Sequence, residues 1–193
     1  MADIKKVNFD YIKRWEGGLS KDKRDSASKM PVPDGTGYHT NIGITWQTFV
    51  ANAKLVGYTA TPKLFYDMPK DIWLGIYQKG YWAMVKGDEI QSQAIAELMA
   101  DWAWGSGPGT ATGYLQALLK KNGLLQPVTQ YFGPVTLGNL HTFIKNAGEK
   151  AAFEAIYQER VRFLKSIPSF KVYGVGWMNR MNDFYAYAQT ILK

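Results

Sequence analysis

Apolar residues recur at the spacing of an α-helix along most of the chain, and glycine or proline interrupts this pattern between segments. The first apolar segment begins after Asn8 and stops at Gly17-Gly18. In the last segment the apolar residues follow at intervals of four, three, four and three positions: Trp177, Met181, Phe184, Ala188 and Ile191. Such intervals place side chains on one face of a helix. The pattern therefore predicts a mainly α fold.

Helices of the same kind are predicted between these two segments. Thr45 is placed to cap one helix, and Asp71 opens another that extends towards Tyr81. The strongest periodicity covers residues 92–104, and the GSGPG sequence at 105–109 is expected to end that helix. Three more helices are predicted, around Leu115, from Pro134 and around Phe153.

Residues 19–44 lack this periodicity and are rich in polar residues, proline and glycine. An irregular stretch of about twenty residues or more is unusual inside a compact domain, and it is typical of a functional loop or a short hairpin. We therefore expect at most a small β-hairpin in this segment.

Composition and charge narrow the classes of function. The 193 residues are 46% hydrophobic and 20% charged, as in an ordinary globular protein, and the net charge of +7 indicates an anionic partner. Nucleic acid, a membrane surface and a bacterial cell wall all fit that charge. No apolar run approaches the roughly 20 residues of a membrane span, so no membrane insertion is expected. No predicted helix combines a basic face with base-stacking aromatic residues, so nucleic acid is not expected as the partner.

Cysteine is absent, and histidine occurs only at His39 and His141. Thiolate nucleophiles and cysteine-based metal sites are therefore excluded, and a zinc site built from histidine is not expected. We expect both histidines to be structural, and we expect neither a metal nor a cofactor. Carboxyl and hydroxyl groups remain as the candidates for chemistry.

Glu16 stands out because a carboxylate is disfavoured at the C-terminal end of a helix, where the partial charge is negative. Trp15 supplies an apolar surface beside it, and both influences favour the protonated form of the carboxyl group. A protonated carboxyl group near neutral pH is the general acid that glycoside cleavage requires. The alternative is a solvated glutamate at the end of a surface helix.

Asp25 follows Glu16 by nine residues and is the first choice for a second carboxylate, because most glycosidases use two. Asp22 and Asp34 are its competitors. Each of these aspartates is also compatible with an ordinary turn.

The sequence DGTGYHTNIGIT at 34–45 leads into a predicted helix. Thr40 and Asn41 present short polar groups that can position a water molecule beside the carboxylates, and Tyr38 is taken as a further substrate-binding residue. The alternative is that the same segment forms only a turn and a helix cap, without a catalytic role.

Asp101 and Trp104 lie near the end of the 92–104 helix and are candidates for lining a sugar-binding cleft. Aromatic residues on a helix more often belong to the core. We assign Trp102 to the core and keep Trp104 as a sugar-binding candidate.

These motifs together resemble glycoside hydrolase family 108, lysozyme-like N-acetylmuramidases found among phage endolysins and proteins labelled secretion activators. WEGGLSKDKRD at 15–25 and TNIGIT at 40–45 fit the family pattern of Glu-Gly-Gly, an aspartate nine residues after the glutamate, and Thr-Asn-x-Gly-Ile-Thr. ADWAWGSGPGTATGYLQALL at 100–119, GPVTLGNL and GWMNRM resemble the peptidoglycan-binding region that usually follows. SASKMPVPDGTGYH at 26–39 replaces a short Asp-Pro-Gly-Gly turn, which leaves Asp34 open as the second carboxylate.

The resemblance implies a lysozyme-like fold and a hydrolase that cleaves the β-1,4 bond between N-acetylmuramic acid and N-acetylglucosamine in peptidoglycan. It implies Glu16 as the general acid, Asp25 as the second carboxylate and Thr40 as the water-positioning hydroxyl. It also implies a catalytic region at 1–90 and a helical peptidoglycan-binding region at 91–193, which we expect to pack into one compact unit.

The expected partner is the glycan strand of peptidoglycan, bound by a monomer. The N-terminal sequence MADIKKVNFDYIK has no apolar stretch of a signal peptide. We therefore expect synthesis in the cytoplasm and action on the wall after release by a holin or a dedicated export route. Two other functions stay open: a lytic transglycosylase that uses Glu16 alone, and a non-catalytic protein that binds the wall or assists secretion.

Overall fold

The computed structural model describes all 193 residues and contains nine α-helices and one two-stranded hairpin. The helices are, in chain order, α1 (Phe9–Glu16), α2 (Trp46–Ala53), α3 (Pro62–Asp67), α4 (Lys70–Tyr77), α5 (Gln93–Ser106), α6 (Pro108–Lys121), α7 (Pro134–Ala147), α8 (Glu149–Ser166) and α9 (Phe170–Gln189). Strands β1 (Thr40–Asn41) and β2 (Ile44–Thr45) pair antiparallel, with Thr40 opposite Thr45. The prediction of a mainly α fold with a small hairpin is confirmed, and the hairpin extends one residue beyond the expected 19–44 segment.

The chain folds as two compact units. The first unit is Asn8–Lys79 and contains α1 to α4 and the hairpin. The second unit combines Met1–Val7 with Gly80–Lys193 and contains α5 to α9. Residues 1–7 thus belong to the second unit, and the division into a catalytic region at 1–90 and a peptidoglycan-binding region at 91–193 stays a prediction.

Local signals set both ends of α1. The helix begins at Phe9 because the side-chain oxygen of Asn8 accepts a hydrogen bond from the backbone N–H of Tyr11, at 3.0 Å. It ends at Glu16 because Gly17 has a φ of 69°, a left-handed conformation that glycine adopts without steric cost. The structure thus confirms that Glu16 closes the first helix.

The turn of the hairpin is formed by Ile42 and Gly43, which both have positive φ values, of 45° and 72°. A two-residue turn of type I′ requires positive φ at both positions, although this is unfavourable for a β-branched residue. Ile42 is buried, and its carbonyl oxygen accepts a hydrogen bond from the indole N–H of Trp73 at 2.9 Å. Contacts with α4 therefore hold the turn in this shape.

Aromatic rings fill the core of the first unit. Phe49 and Phe65 are fully buried and meet edge to face, with ring centroids 5.4 Å apart. The ring of Phe9 lies 5.1 Å from that of Trp73, which stacks on Tyr77 at 5.0 Å. Fully burying one such side chain contributes about 1.5 to 3 kcal/mol. These ring contacts join α1 to α4 and α2 to α3.

The short helix α3 is not predicted by the apolar pattern. It forms because Thr61 accepts a hydrogen bond from the backbone N–H of Leu64 at 3.2 Å and because Pro62 occupies the first helical position. A single turn and a half of helix buries only Phe65, so it produces no periodic signal.

The prediction for α4 is wrong at both ends by a small margin. The helix begins at Lys70, so Asp71 lies in the first turn rather than at the cap. Tyr81 lies outside it, in a π-helical turn that spans Gln78–Trp82.

The second unit is built around α5. The hydroxyl of Ser92 caps this helix by accepting a hydrogen bond from the backbone N–H of Ile95 at 3.2 Å, and residues 94–103 are all buried. The helix continues for two residues past 104 and ends at Gly107, where φ is 85°. Pro108 then starts α6 directly. No helix of the structure is both long enough and apolar enough to cross a membrane.

Candidate active site

Glu16 lies half-buried at the C-terminal end of α1, next to the half-buried Trp15. The exposed Gly17 and Gly18 follow it and lead the chain into an irregular loop. The carboxyl group therefore lies where a helix meets a loop, and the first two residues of that loop have no side chain.

Backbone hydrogen bonds tie Thr40 to this loop. Ser20, four residues after Glu16, donates its N–H to the carbonyl oxygen of Thr40 at 2.8 Å and accepts a bond from the N–H of His39 at 3.0 Å. The N–H of Trp46, the first residue of α2, donates to the carbonyl oxygen of His39 at 2.7 Å. Thr40 is thus fixed both to the loop after Glu16 and to the start of α2.

His39 lies beside Thr40 in this site, and nothing in the sequence pattern pointed to it beyond its place before Thr40. Its imidazole ring is fully buried. Nδ1 lies 2.9 Å from the hydroxyl oxygen of Thr40, and Nε2 lies 3.2 Å from the carbonyl oxygen of Asp22. The ring therefore connects the Thr40 hydroxyl with the loop that leads to Asp25.

Asp25 is exposed and caps a short 3₁₀ turn at Ser26–Lys29. Its Oδ1 accepts a hydrogen bond from the backbone N–H of Ala27 at 2.9 Å, and its own N–H donates to the carbonyl oxygen of Asp22 at 3.0 Å. The chain engages only this one carboxylate oxygen, so the second remains accessible to water or substrate.

Asp34 has a different environment, because both of its carboxylate oxygens are engaged. Oδ1 accepts hydrogen bonds from the N–H and the hydroxyl of Thr36, at 3.0 and 2.7 Å, and Oδ2 accepts one from the hydroxyl of Tyr66. The bonds from Thr36 and Tyr66 lower the pKa of Asp34 below its usual value. This carboxylate is ionised, but its partners hold it in place.

Asp22 is engaged by Arg24. The guanidinium group lies 2.6 Å from Oδ2 and its hydrogen bonds hold the pKa of Asp22 at about 2. Of the three aspartates in this segment, Asp25 is the one that keeps a carboxylate oxygen without a partner in the chain.

Asn41 is buried in the hairpin and serves as a link within the first unit. Its amide group donates hydrogen bonds to the carbonyl oxygens of Phe65 and Tyr66, at 2.7 and 3.0 Å. These bonds use both amide hydrogens and fasten the hairpin to the end of α3. Substrate binding through this nitrogen would require one of them to break.

Tyr38 is half-buried and belongs to a small aromatic cluster. Its ring meets that of Tyr66 edge to face at 6.0 Å, and the ammonium group of Lys21 lies 5.2 Å from the ring centroid. The cluster presents an aromatic edge and a positive charge, groups that suit a sugar ring and an acidic substituent.

The sequence profile described as Glycosyl hydrolase 108 matches residues 9–107, just over half of the chain. The chain belongs to this family. The protein is therefore a glycoside hydrolase of the lysozyme-like, peptidoglycan-degrading type. The matched residues include Glu16, Asp25 and Thr40.

The fold of this family 108 member is similar to that in a solved structure described as that of Brucella abortus SagA. The TM-score is 0.68, and the comparison covers 94% of this chain and 91% of that chain at 22% sequence identity. At this low identity the likeness concerns the fold. A comparison with curated proteins gives no significant sequence match.

The family 108 match also extends to two candidate residues of the second unit. Trp104 is half-buried, with its ring 4.7 Å from that of Tyr81 in an edge-to-face contact. Trp102 is fully buried, which confirms its assignment to the core. The role of Trp104 in sugar binding stays a prediction.

Asp101 lies inside the second unit and holds three helices of the family 108 protein together. Arg160 of α8 and Arg180 of α9 each place a guanidinium nitrogen 2.6 Å from one of its carboxylate oxygens. Burial alone would raise the pKa of Asp101, but the charges of Arg180 and Arg160 outweigh it and hold the pKa at about 2. With both oxygens paired and the side chain 4% exposed, the carboxylate has no surface to offer a sugar.

No group of three or more His, Asp or Glu side chains lies close enough together to hold a metal ion. The chemistry described below uses only carboxyl, hydroxyl and imidazole groups.

Proposed function

We propose that this family 108 protein is an N-acetylmuramidase, which hydrolyses the β-1,4 bond between N-acetylmuramic acid and N-acetylglucosamine. Glu16 is the general acid, Asp25 the second carboxylate and Thr40 the hydroxyl that positions water. The observation that carries the proposal is the pairing of Ser20 with Thr40. It returns Thr40 to the loop that starts at Glu16, although a long irregular segment separates them in sequence.

The position of Glu16 supports its role as the acid. Glu16 is the half-buried last residue of α1, and it opens the loop in which Ser20 pairs with Thr40. The half-buried Trp15 lies next to it in the chain. Gly17 and Gly18 leave space for a glycan strand to approach.

The reaction adds one water molecule across the glycosidic bond. Glu16 donates its proton to the bridging oxygen as the bond from that oxygen to C1 of N-acetylmuramic acid breaks. A water molecule held by Thr40 attacks C1 through a lone pair and transfers one proton to Asp25. The products are a reducing N-acetylmuramic acid end and a new hydroxyl group on N-acetylglucosamine.

Asp25 is preferred to Asp34 as the second carboxylate because of their hydrogen bonds. Asp25 keeps one oxygen for a water molecule, whereas Asp34 is held on both oxygens by Thr36 and Tyr66. Asp25→Asn is therefore expected to lower kcat strongly, and Asp34→Asn is expected to leave more of it. The reverse order would assign the role to Asp34.

The test of the acid is the rate at which purified peptidoglycan releases reducing ends. Removing a general acid lowers rates by about 100 to 10,000-fold, so Glu16→Gln is expected to lose at least about 100-fold. Asp10→Asn is the matched control, because Asp10 is an exposed carboxylate on the same helix. Equal rates for Glu16→Gln and the wild type would overturn the assignment.

The exposed position of Asp25 as the cap of a turn favours a second candidate, a lytic transglycosylase that needs Glu16 alone. Here a hydroxyl of the muramic acid residue itself attacks C1, and the product is an anhydro ring instead of a reducing end. Anhydro ends in the mass spectrum, with full activity of Asp25→Asn, would establish this mechanism.

We also propose that the second unit takes part in binding the wall. The net charge of +7 suits a polymer that carries peptide carboxylates. Glu16→Gln is expected to bind purified peptidoglycan as tightly as the wild type. If the wild type binds but releases no ends, the protein is a non-catalytic wall-binding or accessory protein.

A further inference from the structure

The hydrogen bonds of His39 define which atoms carry protons. Nε2 faces the carbonyl oxygen of Asp22 at 3.2 Å, and a carbonyl oxygen only accepts hydrogen bonds. Nε2 is therefore the protonated nitrogen. In the neutral ring, Nδ1 is then left with a lone pair and is an acceptor.

The hydroxyl oxygen of Thr40 lies 2.9 Å from Nδ1, which carries that lone pair. A hydroxyl has a single hydrogen, so the Thr40 hydroxyl donates it to Nδ1 and keeps its own lone pairs for another donor. Threonine is stiff about its first side-chain bond, and the backbone of Thr40 is held by Ser20. Both the position and the direction of this hydroxyl are thus determined.

The direction of the Thr40 hydroxyl decides how a water molecule binds to it. A water next to Thr40 must donate one of its hydrogens to Oγ1, because Oγ1 has no hydrogen left to offer. Its other hydrogen is free to point to a carboxylate, and its lone pairs are free to attack carbon. If the hydroxyl hydrogen were directed at the water instead, it would occupy one of the two lone pairs and draw electron density away from the attacking oxygen.

We propose that His39 is a positioning residue that keeps the Thr40 hydroxyl in the accepting orientation, so that the bound water presents a lone pair to C1. The proposal rests on the proposed role of Thr40 as the residue that holds the water. It gives a catalytic purpose to a buried histidine that makes no contact with substrate itself.

The charged groups around the ring leave this arrangement intact. The carboxylate of Asp22, whose backbone carbonyl is bonded to Nε2, interacts electrostatically with the imidazole. Arg24 holds this carboxylate by a bidentate contact, with Nε 3.0 Å from Oδ1 and Nη2 2.6 Å from Oδ2. No other titratable side chain is hydrogen-bonded to the ring.

Two substitutions separate the two bonds of His39. In His39→Asn the amide oxygen lies where Nδ1 lies, so it can accept the Thr40 hydroxyl hydrogen but does not reach Asp22. In His39→Gln the amide nitrogen lies near the place of Nε2, so the bond to Asp22 is kept and the acceptor for Thr40 is lost. Each variant therefore retains one bond of the pair, which makes them matched controls for stability.

We expect His39→Gln to lower kcat about 10-fold or more with little change in KM, in line with the loss of a group that orients a reactant. His39→Asn is expected to recover most of that loss. In a Thr40→Val background the two variants are expected to have equal kcat, because there is no hydroxyl to orient. Equal kcat of the two variants with Thr40 present would overturn the proposal.

A spectroscopic measurement on the wild type tests the tautomer without any enzyme activity. Nitrogen-15 NMR of the histidine side chains is expected to show His39 with an unprotonated Nδ1 and a protonated Nε2 at neutral pH. A protonated Nδ1 would overturn the proposal even if both variants fail to fold. If this tautomer is found but the wild type releases no reducing ends, the proposed function fails while the orientation of Thr40 stands.

Discussion

Replacing Asp101 by asparagine removes the charge that holds three helices of the second unit together. The carboxylate lies between Arg160 and Arg180, whose side chains are 6% and 17% exposed. Water can therefore replace little of the electrostatic stabilisation that the substitution removes. Asparagine keeps one oxygen, which can serve one arginine. Its NH₂ group then faces the other guanidinium, and two donors meet without an acceptor.

Removing one partner of a buried ion pair costs about 3 to 5 kcal/mol. Because asparagine retains one of the two bonds, we expect Asp101→Asn to lower the free energy of unfolding by about 3 kcal/mol, near the lower limit of that range. For a chain of this size the loss corresponds to a Tm that is lower by about 6 to 12 °C.

The same ion pairs make stability depend on pH in acid. The pKa of Asp101 is held at about 2, below the ordinary value of 3.8, so the folded state binds this proton less readily than the unfolded chain. The stabilisation is therefore fully present above about pH 4 and is lost as the pH falls towards about 2. The difference in pKa corresponds to about 2 kcal/mol of stability that depends on pH in acid, and Asp101→Asn is expected to lack this dependence.

Urea unfolding of both proteins, followed by circular dichroism at neutral pH and at several acidic pH values, measures both effects. Asp67→Asn is the matched control, because Asp67 forms an exposed ion pair with Lys63 that is expected to contribute less than about 1 kcal/mol. If Asp101→Asn loses no more stability than Asp67→Asn, the buried ion pairs do not hold the second unit together and the reasoning is refuted.

Two further predictions concern packing. Asn41→Ala is expected to cost about 2 kcal/mol in urea unfolding, because it leaves two backbone carbonyl groups of the first unit without their donor; a loss under about 0.5 kcal/mol would contradict this. In Gly87→Ala the new Cβ would lie 2.3 Å from the ring of Trp82, so the free energy of unfolding is expected to fall by about 1 to 3 kcal/mol. Gly138 lies on an open face of α7, so Gly138→Ala is expected to raise the free energy of unfolding by up to about 1 kcal/mol. Equal effects of the two alanine substitutions on Tm would contradict the packing around Trp82.

The elements that could be predicted from sequence are those with local causes. The end of α1 follows from Gly17, and the start of α5 follows from Ser92, which bonds a backbone group only three residues away. Periodicity extends over enough turns in α5 and α9 to identify them. The short α3 was not predicted because one turn and a half of helix provides too few apolar positions for a periodic pattern.

The roles of single side chains depend on partners far away in the chain. The bonds of Asn41 reach residues 24 and 25 positions further along, and Asp101 meets Arg160 and Arg180, 59 and 79 positions away. The Nε2 bond of His39 depends on how the loop at Asp22 returns to the hairpin. Sequence order could select Glu16 and Thr40 as a motif, but these longer connections appear only in the folded chain.

The proposed reaction requires that Glu16 protonates the glycosidic oxygen while a water molecule breaks the glycan strand. Mass spectrometry of fragments released from purified peptidoglycan in water enriched in oxygen-18 tests it most directly. For the wild type we predict N-acetylmuramic acid ends that carry one oxygen-18 atom, and for Glu16→Gln almost no fragments. Labelled fragments from Glu16→Gln in wild-type amounts, or unlabelled anhydro ends from the wild type, would contradict the account.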